Sequence, residues 1–264
     1  MGQGQVIYDE KGLLITLQRS DIELNKLVKI FRTPLELADA FALELVNLIR
    51  EAEKKQSSYT VALSGGSTPQ QLFSLLAEEY RKAVNWYNVH FFWADERCVL
   101  PEDSESNFGI TRRLFLSKID IPDTSIHRIR GEGDPEKEAL RYSEEIVRYT
   151  RSHHDLPVFD HTILGMGEDG HTASIFPGNM DLMYSEKICE VVRHPVSGQK
   201  RITITGKVIN NSDNITFLVT GRSKAHIIEQ IIKKNVQVPA SLIIPVDGKI
   251  TWFLDENAGE FIRS

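Results

Sequence analysis

Short apolar runs along this chain alternate with longer segments whose apolar residues recur at helical spacing. Residues 59–63, 89–93 and 158–164 are such runs and predict strands, and the polar residues 94–106 predict a loop. Residues 34–55 carry the helical pattern, which opens with Thr33-Pro34, a cap followed by Pro at the first helical position. Strands that alternate with helices are typical of parallel βαβ units, in which each helix returns the chain across the sheet. The alternation predicts an α/β fold: a single-domain, Rossmann-like, mostly parallel sheet flanked by helices.

No internal repeat, low-complexity linker or shift in composition divides the chain. We therefore predict one continuous α/β domain over residues 27–264. Residues 1–26 alternate only weakly between apolar and polar side chains. That pattern leaves two arrangements open, a loose N-terminal arm and a hairpin at the edge of the sheet.

Composition restricts the classes of function. The 264 residues include 31 Lys and Arg against 37 Asp and Glu, a formal net charge of −6, and no long basic run. Nucleic-acid surfaces need clustered Lys and Arg that displace counterions, so we expect no nucleic-acid partner. No apolar stretch reaches the roughly 18 residues that a membrane helix needs, so we expect no membrane partner either.

The same features indicate a cellular location. The two cysteines, Cys98 and Cys189, lack metal-ligand or redox spacing and suggest no disulfide framework. The first residues lack the basic region and apolar core of a signal peptide. We therefore predict a cytoplasmic protein, and we leave its assembly open between a monomer and a weak homo-oligomer.

One segment is DHTILGMGEDGHTASIFPG at residues 160–178 (the histidine segment). Its apolar strand end gives way to three glycines with Asp169 and His171 among and beside them, and a Pro-Gly pair closes it. Glycine serves where the backbone turns sharply or approaches another group closely. One interpretation is a strand-to-helix turn whose His171 is merely solvated or capping. We favour another, in which glycines such as Gly167 remove bulk so that Asp169 and His171 face a ligand at the carboxyl end of a strand.

A second glycine-bearing segment, SGGST (the SGGST loop), joins an apolar run to Pro69 at the start of a predicted helix. Its backbone N–H groups, the helix N-terminus and the hydroxyls suit an anion such as phosphate. A helix cap by Ser67 or Thr68 explains the hydroxyls but gives no reason for both Gly65 and Gly66. The P-loop Lys and the dinucleotide glycine spacing are both missing, which disfavours a nucleotide.

Charged and amide side chains follow other predicted elements. Asp95, Glu96 and Arg97 come directly after the apolar run HFFW, where a solvated rim and a ligand site are both open. Because loops at one sheet edge converge, Asp95 and Arg97 are candidates for ligand contact. Asn107 begins a predicted helix, and there a capping role is favoured over a ligand role.

Two cations occupy positions that suit a bound anion. Arg201 opens the alternating RITIT strand, and Lys224 lies at a predicted helix start, where a cation opposes the helix macrodipole. A bound phosphate would offset that opposition, although a solvated charge explains each residue equally well. The pair His153-His154 hints at a metal, but its polar surroundings favour a loop, so we predict no metal site.

Six segments, spread across nearly the whole chain from about residue 27, resemble the 6-phosphogluconolactonase family in order and in content. They are SGGSTP (64–69), DER (95–97), SN (106–107), GMGEDGHTASIFPG (165–178), RITIT (201–205) and GRSKA (221–225). The resemblance implies the α/β fold of the sugar-phosphate isomerase and deaminase group. It also implies hydrolysis of a sugar phosphate lactone, 6-phospho-D-glucono-1,5-lactone, to 6-phosphogluconate without metal or organic cofactor, the second step of the oxidative pentose phosphate pathway.

By this resemblance His171 would take a proton from the attacking water, since neutral imidazole accepts protons near neutral pH, and Asp169 would orient it. Arg97 or glycine N–H groups would stabilise the oxyanion that forms. The phosphate would bind to the SGGST loop with Arg201 and Lys224. The full set of expected substrate contacts is Gly65, Gly66, Ser67, Thr68, Asp95, Asn107, Gly167, Arg201 and Lys224.

Two alternatives remain beside the lactonase. The related deaminases typically carry a Glu five residues after the histidine and Asp-Glu-Tyr at the second loop, whereas this chain has Phe176 and Asp95-Glu96-Arg97. Both departures favour the lactonase. A non-catalytic sugar-phosphate sensor usually adds a DNA-binding helix pair, for which the N-terminal segment is too short, and a sensor has no need of His171.

Overall fold

The computed structural model describes residues 5–9, 12–17 and 26–262, and for residues 5–9, 12–17 and 26 it describes the backbone only. The strands in this part of the chain are β1 (Gln5–Asp9), β2 (Gly12–Leu17), β3 (Lys26–Phe31), β4 (Tyr59–Leu63), β5 (Val89–Trp93), β6 (Asp95–Arg97), β7 (Arg151–His153), β8 (Leu156–Val158), β9 (His161–Leu164), β10 (Cys189–Arg193), β11 (Lys200–Ile204), β12 (Asn214–Val219) and β13 (Lys249–Asp255). The α-helices are α1 (Pro34–Lys54), α2 (Ser67–Glu78), α3 (Asn107–Leu114), α4 (Pro135–Tyr149), α5 (Gly206–Asn210) and α6 (Ala225–Lys233).

A sheet of eight strands forms the centre of the fold, in the order β1-β2-β3-β13-β12-β9-β4-β5. The strands from β3 to β5 in this order are all parallel, which confirms the predicted mostly parallel α/β sheet. At one edge β1 and β2 pair as an antiparallel hairpin beside β3, one of the two arrangements that the sequence left open. The domain limit at residue 27 stays a prediction. The rest of the N-terminal segment, residues 1–4, 10–11 and 18–25, lies outside the described residues.

The central strands are buried, as expected for a parallel sheet covered by helices. Every residue of β4 is buried, and Phe217 of β12 stacks on Trp252 of β13 with ring centroids 4.0 Å apart. Helix α1 packs against β3 and β13, and it begins at Pro34. The hydroxyl of Thr33 caps it by accepting a hydrogen bond from the Glu36 N–H at 3.1 Å. The Thr-Pro pair therefore starts this helix as predicted.

Three local predictions were wrong, and the first two concern segments that bond to residues distant in sequence. Residues 95–97, predicted as loop, form β6, which pairs with β11 in a small antiparallel sheet of β10, β11 and β6. The predicted strand over residues 158–164 is divided into β8 and β9, because the Asp160 carboxylate accepts hydrogen bonds from the N–H and hydroxyl of Thr60. Helix α2 begins at Ser67, earlier than the predicted start at Pro69.

Four neighbouring strands, β12, β9, β4 and β5, run parallel and so end at the same edge of the sheet. The loops that leave this edge contain the SGGST loop, the start of β6 and the glycines of the histidine segment. Open α/β sheets bind ligands at this edge. None of the helices in the described part of the chain combines the length and the hydropathy that a bilayer crossing requires.

His161 of β9 is a buried histidine in the middle of this sheet. Its Nε2 lies 2.9 Å from the hydroxyl of Thr216, and its ring meets the Phe41 ring edge-on at 5.4 Å. Burial lowers the pKa of His161 to about 3. The folded protein therefore keeps this imidazole neutral at every ordinary pH.

We expect the protein to become less stable as the pH falls below about 6.5, the pKa of an unfolded histidine. Between that pH and about 3 the unfolded chain holds a proton on His161 that the folded chain lacks. The free energy of unfolding should thus drop by about 1.4 kcal/mol per pH unit from this residue alone. Urea denaturation at about pH 7.5 and about pH 5.5 measures the slope.

The matched variants are His161→Asn, which should lose part of this pH dependence, and His226→Asn at an exposed histidine, which should keep all of it. The same slope in both variants would contradict the assignment to His161.

Candidate active site

A cavity of about 240 Å³ opens at the carboxyl edge of the sheet. The predicted site residues that line it are Gly65, Gly66, Ser67, Thr68, Asp95, Arg97, Asn107, Gly167, His171, Arg201 and Lys224. The remaining predicted residue, Asp169, reaches the site through its contact with His171. The SGGST loop and the histidine segment thus open onto one cavity.

The histidine segment holds its imidazole against a carboxylate. Nδ1 of His171 lies 2.7 Å from Oδ1 of Asp169, and the same oxygen accepts from the His171 backbone N–H at 3.1 Å. Because an ionised carboxylate only accepts, Nδ1 carries the proton and Nε2 of the neutral ring has a free lone pair. A Cβ on Gly167 would lie 2.1 Å from Nδ1, so only glycine permits this packing.

Asp169 is the charged partner in this pair. Burial alone would raise the pKa of its carboxyl group, but the hydrogen bonds and charge of His171 outweigh burial, and the pKa is lowered. The carboxylate is therefore ionised at neutral pH. The Phe176 ring, with its centroid 4.9 Å from that of His171, packs against the same imidazole and limits its movement.

The SGGST loop turns directly into α2. Gly66 is the residue before the helix, with φ of +111°, and no side chain caps the helix there. The Thr68 hydroxyl instead shares a hydrogen bond of 2.7 Å with the hydroxyl of Thr220, so the capping interpretation of Ser67 or Thr68 was wrong. The start of α2 therefore presents backbone N–H donors and a partial positive charge to the cavity.

Asp95 and Asn107 join the loops behind the cavity. The Asp95 carboxylate accepts from the Ser174 hydroxyl at 2.5 Å and from the Asn107 amide at 3.3 Å. A Cβ on Gly65 would lie 1.8 Å from Oδ1 of Asn107, so the SGGST loop also packs on this amide. Oδ1 of Asn107 and the hydroxyl of Ser64 are buried and have no hydrogen-bond partner among the described residues. Both residues line the cavity.

Glu96 does not face the cavity, although the sequence left a ligand role open for it. In strand β6 it points to the opposite side from Asp95 and Arg97, as alternate residues of a strand must. Its carboxylate accepts from the backbone N–H groups of Arg97, Asn107 and Phe108, each at 2.8 Å, and from the Ser106 hydroxyl at 3.1 Å. Burial raises its pKa, and these backbone hydrogen bonds oppose the rise. Glu96 is thus an anchor for the start of α3.

Three cationic side chains surround the cavity. Arg97 donates to the Glu105 carbonyl at 2.6 Å, and Arg201 lies opposite Arg97 in the β6–β11 ladder, over the Phe176 ring at 5.8 Å. Burial, followed by the charge of Arg97, lowers the pKa of Arg201, yet a guanidinium stays protonated in proteins. Lys224 reaches the cavity with its Nζ 4.0 Å from Glu168. Together these charges favour an anionic ligand.

Sequence reasoning missed several contributors to the site. They are Ser64, Met166, Ala173, Ser174 and Thr220. Ser174 and Thr220 act through hydrogen bonds to residues distant in sequence, and no local pattern marks such partners. The predicted helix cap at the Ser106-Asn107 pair is present. The Ser106 hydroxyl caps α3 by accepting a hydrogen bond from the Gly109 N–H at 3.0 Å.

Comparison with known proteins identifies the family. The sequence model of the glucosamine-6-phosphate isomerases and 6-phosphogluconolactonases matches residues 32–252. The chain belongs to this family. It is 45% identical to the 6-phosphogluconolactonase of Haemophilus influenzae over 202 residues, 75% of this chain and 85% of that protein. It is 42% identical to that of Aggregatibacter actinomycetemcomitans over 206 residues, 76% and 87% of the two chains.

Members of the family also share the three-dimensional structure. The solved 6-phosphogluconolactonase of Trypanosoma brucei superposes with a TM-score of 0.81 at 25% identity, over 90% of this chain and 99% of that one. The family name covers both isomerases and lactonases, so membership alone leaves two reaction types. Within the histidine segment, Phe176 bears on the choice between these two reaction types. Its side chain is fully buried between His171 and Arg201.

We expect Glu96→Gln to destabilise the protein by about 2–3 kcal/mol, because it removes the charge from a buried acceptor of four hydrogen bonds. The amide NH₂ of Gln would also face a backbone donor. Urea denaturation followed by tryptophan fluorescence measures the change, with Glu102→Gln at an exposed position as the control. Equal stability of the two variants would show that the Glu96 contacts contribute little.

Proposed function

We propose that this protein is a 6-phosphogluconolactonase that hydrolyses 6-phospho-D-glucono-1,5-lactone to 6-phosphogluconate in the oxidative pentose phosphate pathway. One observation carries the proposal: the 2.7 Å contact between His171 and Asp169 lies on a cavity bordered by three cationic side chains. Lactone hydrolysis needs a base for water, and a phosphorylated substrate needs cations. The relatives of 45% and 42% identity that bear this name support it.

His171 is the general base in the proposed mechanism. As the water oxygen bonds to the lactone carbonyl carbon, Nε2 takes the proton that leaves the water. The imidazole becomes positively charged, and Asp169 stabilises this form through the Nδ1 hydrogen bond. When the tetrahedral intermediate collapses, the bond from the carbonyl carbon to the ring oxygen breaks. The imidazolium returns its proton to that oxygen, which becomes the new hydroxyl group, and the former carbonyl carbon becomes the carboxyl carbon.

The oxyanion of the intermediate needs donors that have no other acceptor. The Gly167 N–H is already used, since it donates to the His171 carbonyl at 2.9 Å. Arg97 suits the role, because it lines the same cavity and keeps N–H donors besides the one that bonds to the Glu105 carbonyl. The mechanism uses only protein groups and water.

The phosphate of the substrate would bind at the start of α2 and to Arg201 and Lys224. A helix N-terminus supplies N–H donors, and the two side chains add full charges. Lys224 lies at the start of α6, where its positive charge interacts unfavourably with the helix macrodipole. An anion bound near Lys224 would offset this unfavourable interaction. Holding the phosphate would set the distance from His171 to the lactone carbonyl.

Phe176 favours the lactonase over the deaminase of the same family. It occupies the position, five residues after the histidine, at which the resemblance leads us to expect a catalytic Glu in a deaminase. Here the side chain is apolar, buried and packed on His171, so this position supplies no carboxylate. The deciding experiment gives the purified protein freshly generated 6-phosphogluconolactone and, separately, glucosamine 6-phosphate. Consumption of the lactone above its spontaneous hydrolysis supports the proposal, whereas consumption of the amino sugar alone refutes it.

We expect His171→Ala to lose nearly all lactonase activity, because general-base catalysis contributes about 10²- to 10⁴-fold. The variant should keep its fold, since the side chain is partly exposed. Initial rates, corrected for spontaneous ring opening, test this, and circular dichroism checks the fold. His226→Ala at an exposed histidine serves as the control. Unchanged hydrolysis by His171→Ala would remove this residue from the mechanism.

We expect Arg201→Ala and Lys224→Met chiefly to weaken substrate binding. The loss of one charge-assisted hydrogen bond to phosphate, about 1.5–3 kcal/mol, should lower kcat/KM by about 10- to 100-fold, mostly through KM. Lys118→Met, at an exposed lysine away from the cavity, is the control. If neither variant changes KM or kcat, the phosphate site has been assigned to the wrong residues.

We also propose that the enzyme acts in the cytoplasm as a monomer or weak homo-oligomer. The location is supported by the cysteine pattern, which suggests no disulfide framework. Analytical ultracentrifugation over a range of concentrations tests the assembly state, and a tight dimer at the lowest concentration would contradict it.

A further inference from the structure

Two histidines and an aspartate meet at the edge of the sheet opposite the cavity. His153 and His154 lie in the β7–β8 hairpin ahead of β9, and Asp247 lies in the loop ahead of β13. One ligand atom from each of the three residues lies within 4.8 Å of the other two. We propose that His153, His154 and Asp247 form a surface site for a divalent transition-metal ion of the Zn²⁺ class.

The distances in this cluster suit ligands of one ion better than hydrogen bonds. Oδ2 of Asp247 lies 3.4 Å from Nε2 of His154 and 3.6 Å from Nδ1 of His153. Hydrogen bonds from N–H to oxygen are about 2.7–3.2 Å long. Ligands about 2.0–2.1 Å from a tetrahedral Zn²⁺ lie about 3.4 Å from one another. The two distances from Asp247 thus match the spacing of tetrahedral ligands around one ion, and all three ligand atoms lie within 4.8 Å of one another.

The hairpin turn brings the two histidine rings together. Consecutive side chains of a strand point to opposite faces, which would separate them. Here His154 and Asp155 both have positive φ, +52° and +60°, between the paired residues His153 and Leu156. Two positive φ values in a row are the mark of a type I′ turn. The ring centroids are consequently only 3.9 Å apart.

Both halves of the site are fixed to the same segment, residues 210–213. The buried Asn211 donates from its amide to the carbonyls of His153 at 2.9 Å and Leu156 at 3.2 Å. On the other side, the Val246 N–H donates to the carbonyl of residue 210 at 2.8 Å, and the backbone at Gly248 passes so close to residue 212 that a Cβ would lie 2.2 Å from its carbonyl oxygen. The ligands therefore need little rearrangement to bind an ion.

The donor set selects the class of metal. Two imidazoles with one carboxylate suit Zn²⁺, Ni²⁺ and Cu²⁺, whereas Mg²⁺ and Ca²⁺ prefer oxygen ligands alone. All three side chains are exposed, so water can complete the coordination. The sequence by itself favoured a plain loop here, since it could not show that Asp247 lies beside the two histidines. The ion would connect the β7–β8 hairpin to the loop before β13 and stabilise the folded state.

The experiment uses full-length protein without an affinity tag, freed of metal by a chelator, and titrates it with zinc chloride against a chromogenic competitor. His154→Asn keeps a residue that tolerates positive φ, and Asp247→Asn keeps the shape of the carboxylate. Each should weaken Zn²⁺ binding by at least about tenfold. His226→Asn, at an exposed histidine elsewhere, should leave it unchanged.

Thermal unfolding provides a second readout. Zinc chloride should raise the Tm of the natural protein and of His226→Asn but not of His154→Asn or Asp247→Asn, and magnesium chloride should raise none of them. Equal zinc affinity in all four proteins, or an equal effect of magnesium, would overturn the proposal. Lactonase activity of metal-free His154→Asn should be unchanged, so the result bears on this site separately from the proposed function.

Discussion

The parallel pairing of β4, β5, β9 and β12 is the constraint on which the rest of the structure depends. Parallel strands end at one edge, so every loop that leaves them must begin there. The strands themselves are apolar and buried, and this burial stabilises their alignment. The polar residues that follow them then have one place to meet. The cavity is therefore a consequence of strand direction as much as of its own residues.

The cavity also requires that polar loops pack closely against one another. Glycine permits this packing because it has no Cβ. Gly65 allows the amide of Asn107 to lie against the SGGST loop, and Gly167 allows the imidazole of His171 to fold back over its own segment. Neither position tolerates a Cβ without movement of the side chain that the site uses. Glu96, on the far side of β6, holds the start of α3 so that Asn107 stays in place.

The aromatic residue Phe176 connects packing to chemistry. It contacts the ring of His171 and lies under the guanidinium of Arg201, so one buried side chain positions both a proposed base and a proposed phosphate ligand. An acid in its place would add a negative charge beside both groups.

Local pattern in the sequence determined the parallel α/β architecture, the Thr33-Pro34 helix start and the glycine-bearing segments, because periodicity and backbone freedom are properties of short stretches. It also indicated which residues would border the cavity, since these follow a strand, start a helix or, like Arg201, open a strand. Only the tertiary structure decided that residues 95–97 form a strand, that Glu96 turns away from the cavity, and that Asp247 joins His153 and His154. Each of these depends on a partner far along the chain, and no local pattern carries that information.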